Sequence, residues 1–322
     1  MNKIIKIAVI ALLMISVQST AKNKWVVPGA ELAVPTGTYE FIQRDSAKLF
    51  LDFYRPSYGS VTTFNGVEKP AILFAFGGGF TSGCKDKEHY RQWIKALNDN
   101  GYPVFSIDYR LGLKGVDMGG LKIIGAVRNA IKIGVEDMFA ATAFIVKNAT
   151  MFDIDPMNIV VSGSSAGAII ALQSEYELCN HSELAEVLPA DFRYAGVISF
   201  SGAVFSSDGR LKYKETPAPQ MLLHGTADRV VTYKQIKIFN LGLFGSSKIA
   251  KRLYKFGYPY EIVRYKSHTH DIADLMFYTI PEQILFLEKS VIEKTGRTVD
   301  IMMDDPAMPV DNTLRTLGDL YK

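Results

Sequence analysis

The stretch that decides the fold reads Asn158-Ile159-Val160-Val161-Ser162-Gly163-Ser164-Ser165-Ala166-Gly167-Ala168-Ile169-Ile170-Ala171-Leu172. Its first part is an apolar, β-branched run of strand length, and its last part is helix-like. Between them stands a serine at the centre of G-x-S-x-G, so the segment predicts a strand, a sharp turn and a helix. The two glycines have a steric reason. A turn this tight brings the strand and helix backbones so close that only a hydrogen-sized side chain fits. The turn lifts the Ser165 hydroxyl above the sheet and sets it at a helix N-terminus, where backbone N–H groups favour developing negative charge. A Gly/Ser turn without chemistry is the plainer reading, but strand-then-helix is the context in which this pentapeptide carries a nucleophile.

Outward from this stretch, extended apolar segments alternate with helical ones. Tyr39–Ile42 and Leu49–Tyr54 are close in sequence and predict an antiparallel hairpin. Ala71–Phe76 is continuously apolar, as expected of a strand buried on both faces. His89–Asn100 predicts a helix, with Trp93, Ile94 and Leu97 on one stripe and Gly101 to end it. Val104–Ile107 predicts another buried strand. Glu136–Asn148 predicts a helix, with Phe139, Ala143 and Val146 at helical spacing and an acidic start that suits the dipole. Val197–Phe200, Met221–Leu223 and Tyr260–Val263 read as further strands, and Ile284–Ile292 as a late helix. This alternation predicts an α/β fold, with a mostly parallel central sheet covered by helices on both faces. Two apolar, glycine-bearing stretches, 112–134 and 238–247, read as small flap insertions.

The amino-terminal residues read as a signal peptide. Lys3 and Lys6 precede the apolar run Ile7–Val17, and Ser19-Thr20-Ala21 offers a cleavage site after Ala21. The run is shorter than the roughly 20 residues that span a bilayer. The expectation is therefore a secreted or periplasmic protein without stable membrane insertion, its residues 22–322 forming a single catalytic domain. A hydrophobic content of 48% supplies an ample core. The formal net charge of +3 is scattered without a basic block, and gives no ground for a nucleic-acid partner. The two cysteines, Cys84 and Cys179, form neither a CxxC pair nor a Cys/His cluster with zinc spacing, so no structural metal is indicated. They are expected to stay unpaired.

Serine is a poor nucleophile near neutral pH. It needs a histidine base, and the base needs an orienting carboxylate. On a sheet of this kind the order after the serine is acid, then histidine, each past the C-terminal end of a later strand. Asp228, in His224-Gly225-Thr226-Ala227-Asp228, follows the Met221–Leu223 strand and fits the acid; a turn-capping aspartate ahead of Val230 is the plainer reading. His224 reads as a packed, hydrogen-bonded histidine. The base must follow the Tyr260–Tyr265 strand, and by placement alone both His268 and His270 qualify. His89 and His181 read as surface or helix-end residues. Gly77-Gly78-Gly79-Phe80 follows the Ala71–Phe76 strand and suits an oxyanion hole. Gly78 and Gly79 are assigned to it, together with the amide of Ala166. A phosphate-cradling loop would need a following Lys-Ser/Thr or a G-x-G-x-x-G pattern, and neither is present.

Together these segments resemble the α/β-hydrolases, specifically the carboxylesterase/lipase group with a Gly-Gly-Gly-Phe oxyanion loop. Leu51-Asp52-Phe53-Tyr54-Arg55-Pro56 is similar to that group's early strand, Phe76–Gly83 to its oxyanion segment, and Asp108-Tyr109-Arg110-Leu111 to the end of the next strand. Glu136-Asp137 and Asp153-Ile154-Asp155-Pro156 are similar to the helix start before the elbow and to the lead-in to the nucleophile strand. Phe76 departs from the histidine of many members, and Ser164 from the glutamate of type-B carboxylesterases. The resemblance implies that the base is His270, about five residues past the strand-end aromatic Tyr265, with His268 a rim residue or substrate contact. It implies an exported serine hydrolase of small-molecule esters, working through an acyl-enzyme with Ser165, His270 and Asp228 and requiring no cofactor or metal. The apolar flaps would favour uncharged acyl or aromatic groups. A peptidase or acyltransferase with the same triad, and a non-catalytic binding module on the same fold, stay as alternatives; the intact triad positions and oxyanion loop favour the hydrolase.

Overall fold

Nine strands make the central sheet of the protein, whose structure is a computed structural model describing residues 25–44, 47–116, 122–311 and 313. In chain order they are β1 (Gly37–Arg44), β2 (Ala47–Tyr54), β3 (Ala71–Ala75), β4 (Val104–Ile107), β5 (Ile159–Ser164), β6 (Gly196–Phe200), β7 (Gln220–Gly225), β8 (Tyr260–Tyr265) and β9 (Thr298–Met303). Their spatial order is β1-β2-β4-β3-β5-β6-β7-β8-β9. The expected hairpin of β1 and β2 is antiparallel, and β2 meets β4 antiparallel. From β4 to β9 every pairing is parallel. The apolar runs of β3 to β8 follow from this arrangement. Parallel neighbours need crossover helices, and those helices cover both faces, so no alternation of polar and apolar residues survives.

The main helices are α1 (Glu88–Asp99), α2 (Lys122–Lys147), α3 (Ala166–Cys179), α4 (Ser246–Phe256) and α5 (Ile280–Phe286), the last running on through Leu287–Ile292 with a π-helical pitch. Helix α3 is buried almost all round, with Ala168, Ile169, Ile170 and Ala171 fully buried in its apolar first half, as suits a helix at the centre of a core. α2 packs on α3, and α1 packs on α5 and on the 3-10 turn Met276–Thr279. Truncating Ile169 or Ile170 to alanine should therefore cost about 2–5 kcal/mol each.

Two sequence expectations are corrected. The stretch 112–134 is not a flap over residues 122–134, which form the first half of α2. The helix expected to start at Glu136 thus starts at Lys122, and Glu136-Asp137 lies mid-helix. Gly134 marks a packing contact, since a Cβ there would meet Ile170 Cδ1 at 2.7 Å. The stretch 238–247 is not a flap either. Gln235–Ile238 and Leu241–Gly245 form a hairpin that pairs with Ala203–Ser206 as a separate antiparallel sheet, and Ser246 begins α4. The expected signal peptide, residues 1–21, lies outside the described residues. Cys84 is exposed and Cys179 buried, and both are free thiols as expected.

Candidate active site

The serine of G-x-S-x-G sits between β5 and α3 with φ 52° and ψ −114°. A non-glycine residue at positive φ is strained and persists only where its surroundings enforce it. The flanking glycines supply the enforcement. A Cβ on Gly163 would meet the Gly167 carbonyl carbon at 2.2 Å, and one on Gly167 would meet the Ala75 carbonyl oxygen at 2.0 Å. The Ser165 N–H donates to the Phe200 carbonyl at 2.9 Å. Next to it, the Ser164 hydroxyl donates to the Ala273 carbonyl at 2.7 Å, which ties the turn to the loop after β8.

That loop brings His270 to the serine. His270 opens a 3-10 turn (His270–Ala273), and its Nε2 lies 2.8 Å from Ser165 Oγ. Its Nδ1 lies 2.8 Å from Asp228 Oδ2. All three side chains are buried. Asp228 follows β7, and its two oxygens divide their work. Oδ1 accepts the backbone N–H groups of Val230 and Val231 at 2.8 and 3.1 Å, so the capping reading of this residue holds too. Oδ2 faces His270. Burial works against the carboxylate, but the charge of His270 and hydrogen bonds from His224 and His270 outweigh it and hold Asp228 well below the usual carboxylate range. The converse holds for His270: burial favours its neutral form, yet the Asp228 charge and hydrogen bond raise it above the ordinary histidine value. With Asp228 ionised, His270 Nδ1 carries the proton, and the Nε2 lone pair accepts the Ser165 hydroxyl.

His224 is packed and hydrogen-bonded, as expected, and its tautomer is determined by its partners. Nε2 faces two acceptors, Asp228 Oδ2 and the Val231 carbonyl, each at 3.1 Å. Nε2 must therefore donate. Nδ1, 2.8 Å from Ser246 Oγ, accepts that hydroxyl when the ring is neutral.

The three assigned oxyanion donors lie on two elements. Gly78 has φ 150°, and a Cβ there would meet the Ser82 carbonyl oxygen at 1.8 Å, so only glycine fits. Neither Gly78 nor Gly79 spends its N–H in a hydrogen bond among the described residues. Ala166 opens α3, so its N–H has no intrahelical partner. Gly77 is different: its N–H is taken by the buried Tyr90 hydroxyl at 3.0 Å. Tyr90 was not legible as a site residue. Tyr109 was also missed. Its ring stacks on Phe76 at 4.4 Å and its hydroxyl donates to the Phe76 carbonyl at 2.9 Å, anchoring the loop where many members of the resembled group have histidine.

Two histidine readings are corrected. His268 is not a rim residue or substrate contact; it is buried, with Nδ1 2.8 Å from Asp271 Oδ2. Asp271 also accepts the N–H groups of Thr269 and Asp311, so this pair braces the loop. His89 lies at the start of α1 as expected but is buried, not at the surface, with Nε2 3.2 Å from Asp274 Oδ1. His181 stays half-exposed beside Glu215. Among the described residues no helix is long and apolar enough to cross a membrane.

With this geometry in hand, the chain compares with known proteins as follows. The BD-FAE family model matches residues 51–204. Esterase E4 of Myzus persicae is 30% identical over 145 residues, which cover 44% of this chain and 24% of that protein. Lipase 2 of Geotrichum candidum is 26% identical over 170 residues, covering 52% of this chain and 27% of that one. The chain thus spans about a quarter of the length of these curated relatives. Among solved structures, the apo form of Thermogutta terrifontis esterase 2 superposes with a TM-score of 0.55 at 20% identity, covering 85% of this chain and 97% of that one. The sheet order, the serine turn and these likenesses agree on an α/β-hydrolase fold, and the chain is similar to esterases and lipases of that fold.

Proposed function

We propose that this protein hydrolyses carboxylic esters through an acyl-enzyme intermediate on Ser165. The observation that carries the reading is the unbroken chain of two 2.8 Å contacts, Ser165 Oγ to His270 Nε2 and His270 Nδ1 to Asp228 Oδ2. In the proposed reaction Ser165 Oγ attacks the ester carbonyl carbon while His270 Nε2 takes its proton. Asp228 holds the resulting imidazolium. The N–H groups of Gly78, Gly79 and Ala166 stabilise the tetrahedral oxyanion. The intermediate collapses with loss of the alcohol, which leaves with the proton from His270. A water molecule, deprotonated by the same nitrogen, then attacks the acyl-serine, and the carboxylic acid departs as Ser165 regains its proton. The esterase and lipase names of the partial relatives support this chemistry. Solved structures of Thermogutta terrifontis esterase 2 with butyrate and with propionate bound support short acyl groups as substrates.

The same Thermogutta esterase has been solved phosphorylated by paraoxon. Paraoxon offered to this protein should leave one diethyl phosphoryl group on the tryptic peptide that holds Ser165 and abolish hydrolysis of p-nitrophenyl butyrate. Full hydrolysis with no label on Ser165 would overturn the proposal. Export is proposed on the sequence of residues 1–21 alone, and a mature chain beginning at Lys22 in the secreted or periplasmic fraction would support it.

A further inference from the structure

Away from the serine, the small antiparallel sheet and α4 enclose a half-open cleft of ≈ 330 Å³. Its rim gathers Arg210, Lys237, Lys248, Lys251, Arg252 and Lys255, and no carboxylate lines it. On a chain with a net charge of only +3 this is a local concentration of one sign. Four of the six sit on one helix at positions 248, 251, 252 and 255. Like charges at i, i+3 and i+4 destabilise a helix by a few tenths of a kcal/mol per pair. Next to the cleft, outside its lining, Lys212 pairs with Asp208 at 2.9 Å. Arg252 donates to the Leu211 carbonyl at 2.8 Å, but none of the six forms an ion pair among the described residues. The rest of the lining is uncharged and includes Leu211 and Phe244, both almost wholly buried, so the apolar surface of the cleft comes largely from the aliphatic stems of its lysines and arginines.

We propose that this cleft binds an organic anion with an apolar body, such as an aryl or alkyl carboxylate. The ring of cations fits the anionic head, and the aliphatic stems that carry those cations fit the body. The volume lies at the lower end for small-molecule sites, which fits a single compact ligand. A single-stranded nucleic acid fits poorly, because it needs exposed rings for its bases to stack on, and the one aromatic lining residue, Phe244, belongs to the core. α4 also connects this cleft to the site described above. Its first residue, Ser246, holds His224 Nδ1, and His224 holds Asp228.

Calorimetric titration of the Ser165→Ala protein tests the proposal, whatever the role of Ser165 proves to be. The probes are 2-naphthoate, the uncharged 2-naphthalenemethanol and inorganic phosphate. Naphthoate should bind at one site, and the alcohol and phosphate about tenfold or more weakly. The charge reversal Lys248→Glu/Lys251→Glu should weaken naphthoate about tenfold or more while the thermal midpoint stays put. Should that variant fold poorly, Lys237→Gln/Lys251→Gln should still weaken it several-fold. Naphthoate affinity unchanged in a folded variant, or equal binding of the neutral alcohol, would overturn the proposal; so would phosphate binding as tightly as naphthoate.

Discussion

His224 and His270 present ring nitrogens to the same atom, Oδ2 of Asp228, at 3.1 and 2.8 Å. One carboxylate oxygen thus serves two buried imidazoles, and each partner draws on the negative charge available to the other. His224 is fixed as a donor by the Val231 carbonyl, so it competes permanently with His270 for Asp228. It acts as a positioning residue for the carboxylate.

Replacing His224 by leucine, which has no donor, should therefore do two things. Asp228, freed of one donor, should interact more strongly with His270 and raise it further. Since the base must be unprotonated to work, kcat/KM should climb with pH through a value above the ordinary histidine range in the wild type, and through a still higher one in the variant. An acid limb that stays in place would count against this role.

Ser165→Ala should reduce ester hydrolysis on the order of 10⁴-fold and leave the thermal midpoint within a few degrees. Activity within tenfold of wild type, measured with p-nitrophenyl butyrate, would sink the nucleophile assignment.

The two histidines after β8 should separate activity from stability. His270→Ala should match Ser165→Ala in rate. His268→Ala breaks a buried contact with Asp271 and should cost about 1–3 kcal/mol of stability, lowering the melting midpoint, while the folded fraction still turns over substrate. The opposite pattern would transfer the base to His268.

Glu175 lies in α3, accepts Cys179 Sγ at 3.0 Å and the Ala218 N–H at 2.7 Å, and is pushed up to about 7 by burial. Its ordinary value is 4.5. Between the two, the unfolded chain has lost this proton and the folded chain keeps it, so folding stability falls as pH rises. The loss amounts to about 3 kcal/mol by pH 7 to 8. Glu175→Gln retains an acceptor oxygen and should flatten the decline of melting temperature between pH 5 and 8. An unchanged slope would contradict it.

Much of the site was legible because its parts are local. The elbow, the glycine loop and Asp228 each follow a strand that its own apolar run reveals. His270 needed family resemblance, since two histidines two residues apart both follow β8. What sequence could not supply was partnership across distance. His268 looked like a rim residue because nothing in the local sequence pattern marks Asp271 as its partner. His89 sits at a helix end as expected, but its burial was not legible because Asp274, its partner, lies 185 positions away. The flap reading of 112–134 failed because glycine was taken as looseness, whereas Gly134 is where Ile170 packs. The edge strand β9, Thr298–Met303, was passed over because only one side of it is paired, and its exposed residues blur the apolar signal.

The hydrogen bond from Ser164 to the Ala273 carbonyl has a mechanical consequence. It starts one residue from Ser165 and ends three residues from His270, so it ties the serine turn directly to the loop that carries His270. Ser165 Oγ and His270 Nε2 already stand 2.8 Å apart in the folded chain. A substitution that loosens this bond should therefore disturb the serine and the histidine together, although it touches neither side chain.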